Sequence, residues 1–312
     1  MQSTAQKISF QLLKEGRDYS ERVLNGLRAG VSHFHAVQYM KDQLAQNGFN
    51  ELSEVDKWNL QAGQSYFFTR NKTTIVAFTL GQQCQEKGVD LFKIVGCHTD
   101  SPVIKLAPHT KVANKHGFQQ LNIQSYGGGL WRTWFDRDLG LAGRVVIKDA
   151  ENRLTSKLWD SKKALMNIPS LCIHLDRSDE FKPNKEQHLK PILATHIVDQ
   201  LMVEGIQPFK DQPDVFNVEQ KHFLTFLDMV ARDIEVKVDQ IVDFEFAAYD
   251  FHKPAIIGIH DEFVASPRLD NLASSLCSLD SLIDYHKNAD KNNSECSMIM
   301  LFDHEEIGSC SA

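Results

Sequence analysis

Apolar residues recur three or four positions apart at Phe34, Val37, Met40 and Leu44, and Gly48 follows where a left-handed cap would close the last turn. That spacing predicts a helix. Two continuous apolar runs come next, Thr73 to Leu80 and Leu91 to Cys97. Continuity rather than alternation is expected of strands covered on both faces, as in an α/β sheet. Between about residue 104 and residue 248 the texture changes. Gly143 to Lys148 and Val242 to Phe246 tend to alternate apolar and polar, which predicts half-exposed strands. The polar, proline-bounded stretch Arg177 to Pro191 reads as a loop, and Phe223, Leu224, Phe226, Leu227 and Val230 share one helical face. From Pro254 the doubly buried texture returns, with Ala255 to Ile259, a helix from Asn271 to Tyr285 and the strand Met298 to Phe302.

The predicted organisation is an α/β domain in two pieces, residues 1–103 and 249–312, interrupted by an inserted, mainly β domain at 104–248. The 312 residues, 42% hydrophobic and 24% charged, suit a globular chain with a sizeable core. A formal net charge of −7 gives no global attraction for phosphate backbones or anionic membranes, so neither nucleic acid nor a membrane is an expected partner. The six cysteines are scattered without a Cys-x-x-Cys pair and read as reduced thiols. Neither a secretory layout near Met1 nor a membrane-length apolar run is seen, which leaves the cytoplasm as the expected compartment.

Two of the apolar strands run into polar clusters: Leu91 to Cys97 into His98, Thr99 and Asp100, and Met298 to Phe302 into Asp303, His304, Glu305 and Glu306. In open α/β sheets ligands bind beyond the carboxyl ends of strands, and imidazole with carboxylates is an ordinary zinc donor set. His98 alone could equally be a hydrogen-bonded strand-end histidine. Asp100, two residues along an extended segment, faces the same side and could hold the second ring nitrogen. Asp270 precedes a periodic helix and alone reads as an N-cap. Glu305 and Glu306 could be acids at a helix start, or one ligand and one base. Gly308 to Ala312 is not a nucleophile elbow, His304 to Gly308 lacks a zincin's second histidine, and Gly127-Gly128-Gly129 reads as a tight turn or a close backbone contact rather than a dinucleotide fingerprint.

Taken together, His98-Thr99-Asp100-Ser101-Pro102, Tyr126-Gly127-Gly128-Gly129-Leu130-Trp131, Thr133 to Leu139, Leu141 to Val145, Ile173-His174-Leu175, Pro191 to Thr195, Arg268-Leu269-Asp270-Asn271 and Phe302 to Ser309 resemble the aspartyl aminopeptidases in content, order and spacing. The resemblance spans almost the whole chain. It implies a mixed sheet flanked by helices, with the inserted domain mediating dimerisation and the dimers building a closed homo-oligomer, a dodecamer. It also implies two zinc ions per subunit: His98 and Glu306 as ligands, Asp270 as the bridge, Asp100 as the residue that orients His98, and Glu305 as general base. His174 corresponds to the histidine that reaches a neighbouring subunit's active site. The expected substrates are peptides with N-terminal Asp or Glu.

His304 stands where asparagine is common in that family. The resemblance further implies an aspartate and a histidine ligand beyond position 312, so exposed apolar surface and low solubility are expected of a chain ending there. The competing expectation is a non-catalytic assembly or binding subunit of the same descent.

Overall fold

The computed structural model describes residues 10–113, 116–178, 180–206 and 218–310. The start of the chain, Asp179 in the loop, and Ser311 and Ala312 lie outside the described residues. Helices α1 (Phe10–Ala29) and α2 (His33–Gln46) come first. Strands β1 (Asn50–Glu51), β2 (Ser65–Arg70) and β3 (Thr74–Leu80), the single turn α3 (Cys84–Lys87) and β4 (Leu91–His98) follow. The middle holds β5 (Val103–Lys111), β6 (Phe118–Tyr126), β7 (Leu139–Lys148), β8 (Leu154–Asp160), β9 (Ile192–Thr195), α4 (His196–Val203), α5 (Val218–Lys221), α6 (Leu224–Asp233) and β10 (Ile241–Asp250). The chain then runs through β11 (Ala255–Ile257), β12 (Phe263–Ala265), α7 (Leu269–Asn288) and β13 (Glu295–Phe302) to a 3-10 turn, Glu305–Ile307.

These elements form two compact units; among the described residues one holds 10–100, 253–305 and 310, the other 101–252 and 306–309. The first contains a five-stranded mixed sheet of order β1-β2-β3-β13-β4, parallel at β1-β2 and β13-β4 and antiparallel between. Its core joins the sheet to α1, α2 and α7 through Leu24, Leu27, Val37, Met40, Phe67, Ile75, Leu276, Leu279 and Ile299. The second contains a six-stranded antiparallel sheet of order β8-β7-β10-β5-β6-β9. There Trp159, Phe226, Phe246, Val230 and Ala231 fill the space between sheet and α6.

Helix α2 forms where the spacing predicts. Phe34, Val37, Met40 and Leu44 are its buried stripe, Ser32 caps its start, and Gly48 at φ +85° follows Asn47 at its end. The alternation at 143–148 is also realised, with Gly143, Val145 and Ile147 buried and their neighbours less so.

Two expectations fail. β3 is buried along its whole length, but β4 is exposed over its first six residues, with Phe92 56% and Ile94 55% exposed. β4 is an edge strand that pairs with β13 alone among the described residues, so an apolar run marks a strand fit to be covered on both faces without covering it. Ala255 to Ile259 is likewise not a buried sheet strand. Its first three residues pair with β12 in a half-exposed two-stranded ribbon, and Ile259 is 89% exposed.

All six cysteines are free. Among the described residues no helix is long and apolar enough to cross a membrane.

Candidate metal centre

The parallel pairing of β4 with β13 sets Phe302 opposite His98, so both polar clusters leave the sheet at the same edge. Hydrogen bonds then fasten that edge. Thr99 donates its N–H to Phe302 O (2.7 Å) and its hydroxyl to Thr73 O (2.6 Å), while Asp303 donates its N–H to Thr74 Oγ1 (2.8 Å). Thr99 and Asp303 are both buried, so the ends of β3, β4 and β13 are tied in a dry environment where such bonds are strong. His304 follows at φ +69°, a left-handed conformation costly for most side chains, and its N–H is held by Asp303 Oδ1 at 2.8 Å. Its ring Nε2 lies 3.2 Å from Asp303 Oδ2.

His98 is the pivot. Its Nδ1 faces Asp100, 3.1 Å from the carbonyl oxygen and 3.4 Å from Oδ1, so two acceptors favour the tautomer with the proton on Nδ1. Nε2 then presents a lone pair, yet it faces Asp270 Oδ1 at 3.4 Å and Glu305 Oε2 at 3.6 Å. A lone pair turned toward two carboxylates is repulsive unless a proton or a cation lies among them. Ligand atoms of His98, Glu305 and the next residue in the chain, Glu306, lie within 4.8 Å of one another. Nitrogen and oxygen donors so gathered fit zinc.

Exposure divides these residues by task. The Asp100 side chain is 1% exposed and that of His98 12%, whereas Asp270 is 80% and Glu305 60% exposed. A buried orienting pair thus sits behind accessible carboxylates. Arg268, at φ +62°, occupies the position before α7 and makes no side-chain cap bond, while Asp270 and Asn271 have non-helical φ/ψ, so the helix is kinked at Asp270. The Asp270–Asn271 peptide is cis.

His174 lies in an exposed turn of the 171–178 segment. Gly127 has φ +78°, and a Cβ placed there would stand 3.0 Å from Glu306 Cβ and Oε2. Sequence reasoning assigned no site role to Thr74, Thr99 or Ser275, whose hydroxyls hold the strand ends. A hydroxyl that bonds a distant backbone leaves no mark in local sequence.

The profile of the aminopeptidase I zinc metalloprotease family (M18) matches residues 27–312. A probable aspartyl aminopeptidase of Ricinus communis is 41% identical, covering 96% of this chain and 64% of its own length. A cryo-EM structure of the Ape4 and Nbr1 complex superposes with a TM-score of 0.88 at 35% identity, covering 97% of this chain and 57% of the other. The Saccharomyces cerevisiae mApe1 dodecamer gives a TM-score of 0.79 at 26% identity, covering 95% and 63%. The chain therefore spans less than two thirds of the length of these relatives.

Proposed function

The chain belongs to the aminopeptidase I zinc metalloprotease family (M18), and on that premise we propose that it is a metalloaminopeptidase subunit releasing N-terminal Asp or Glu from peptides. The observation that carries this reading is His98 Nε2 turned toward Asp270 and Glu305 while Nδ1 is held by Asp100. Acidic selectivity is supported by the aspartyl aminopeptidase relative.

In this reading His98, Asp270 and Glu306 would hold two zinc ions, with Asp270 as the ligand they share. Bound zinc would supply Lewis acidity toward the scissile carbonyl. The chain's own residues do the rest. Asp100 keeps the proton of His98 on Nδ1, so the ring meets a cation with its lone pair. Glu305 accepts a proton from the attacking water on its carboxylate and returns it to the departing amine nitrogen. His174 would serve a neighbouring subunit's substrate site, consistent with its exposed turn. The segment 104–248 would mediate dimerisation, with dimers building a dodecamer in the cytoplasm; the mApe1 dodecamer supports the assembly.

The test pairs zinc content with hydrolysis of an aspartyl peptide before and after Glu305→Gln. Turnover should fall by about 10² to 10⁴ with zinc content unchanged, the range of general-base effects. Loss of zinc along with activity would make Glu305 a ligand instead of the base. A zinc-loaded wild type that releases no acidic residue would favour the assembly-subunit alternative.

A further inference from the structure

Three serines of α7 use their hydroxyls in two different ways. Ser278 Oγ donates to Ser274 O and Ser281 Oγ to Cys277 O, each at 2.8 Å and each to the carbonyl four residues back in the same helix. That is the ordinary behaviour of a helical serine. Ser275 Oγ leaves its helix and donates to His98 O at 2.7 Å. Ser278 and Ser281 make exposed bonds, whereas Ser275 is fully buried at 0% exposure. A buried hydroxyl in mid-helix is tolerated where its bond is made.

The placement of that bond is informative. β4 reaches His98 as an edge strand with one pairing neighbour among the described residues. Asp270 stands at the start of α7, five residues before Ser275, where Asp270 and Asn271 have non-helical φ/ψ and the helix is kinked. The Ser275 bond therefore joins the strand end that carries one candidate ligand to the helix that carries another.

We propose that Ser275 is a positioning residue of the metal centre, its hydroxyl fixing the spacing of His98 and Asp270. The inference rests on the metal-centre reading above. Ligand constellations tolerate displacements of only about 0.5 Å; hydrogen bonds to ligating side chains alter metal affinity by roughly 10- to 100-fold, and a bond to the ligand's backbone carbonyl is expected at the low end of that range.

The test compares Ser275→Ala, Ser275→Cys and Ser278→Ala in two measurements: zinc affinity by competition with a chromogenic chelator, and hydrogen exchange of the Thr99 amide in the metal-free protein. Ser275→Cys preserves volume with a weaker donor, which guards against a variant that simply fails to fold. Ser275→Ala should weaken zinc binding roughly 10-fold and speed Thr99 exchange; Ser275→Cys should fall between, and Ser278→Ala should change neither. Lowered thermal stability with both readouts matching Ser278→Ala would overturn the proposal and leave Ser275 a packing residue. A wild type that takes up no zinc would fail the metal reading separately, while the metal-free exchange comparison still decides whether Ser275 fastens the strand.

Discussion

A methyl group at Gly127 would stand 3.0 Å from Glu306 Cβ and Oε2 and 3.3 Å from Pro102 Cα, at a φ of +78°. Gly127→Ala should therefore act twice. The left-handed backbone costs about 1–2 kcal/mol for an L-residue, and the crowded Glu306 must shift, which should weaken zinc binding severalfold. A chelator titration beside a denaturant melt checks both; full zinc affinity at reduced stability would separate Glu306 from the metal. At this scale the legible part of the site was what lies close in the chain. His98 and Asp100 are two residues apart in extended chain, so their shared side follows from strand geometry. Gly127 is legible as a turn or a close approach, but the side chain that requires its bareness, Glu306, lies far along the sequence. Asp270 read as a cap in isolation because proximity to His98 is a property of the fold.

The strand β5 and the short helix α5 are joined through His222, whose Nδ1 is 2.9 Å from Thr110 Oγ1 and whose ring centroid lies 4.4 Å from that of Phe244. Burial, then the charges of Lys221, His109 and Lys111, push its pKa down from 6.5 to about 3. The unfolded chain takes up a proton below pH 6.5 that the native ring refuses until about pH 3. His222 thus leaves stability intact above the unfolded value and erodes it as pH falls through that window. The slope should approach about 1.4 kcal/mol per pH unit for one proton. Denaturant melts of wild type and His222→Phe between pH 6.5 and 4.5 measure it; equal slopes would refute the assignment. Elements with a strong internal period, such as α2 and α6, were legible because periodicity reports the buried face directly. β4 and β11 depart from expectation because an apolar run reports capacity for burial, whereas neighbours decide it.

Among the described residues, apolar side chains are exposed on α4, where Ile197, Val198, Leu201 and Met202 are 51–73% exposed, and on the edge strand β4, where Leu91, Phe92, Ile94 and Val95 are 46–56% exposed. An edge strand of this kind invites association. The protein should bind a dye specific for apolar surface and associate as concentration rises. Phe92→Thr with Ile94→Thr, on one face of the strand and compatible with β structure, should reduce both signals. An unchanged dye signal would place the exposed surface elsewhere. The α/β class followed from texture alone because doubly buried and alternating strands differ in composition. Which unit each strand joins, and in what order, depends on pairings between remote segments that no local pattern encodes.

The bond from Thr99 to Phe302 spans 203 positions, which has a kinetic consequence. Closing so long a loop in a disordered chain is slow and entropically costly. The intervening unit changes that cost, because β5 and β10 pair antiparallel with Lys105 opposite Ala247, bringing its entry and exit strands side by side. Once that unit has folded, the loop left to close between β4 and β13 shrinks to the links 99–102 and 251–294, which lowers its closure cost. The expected order is that the insertion folds first and β4 and β13 pair afterwards, so the segments that carry His98 and Glu305 come together late in folding.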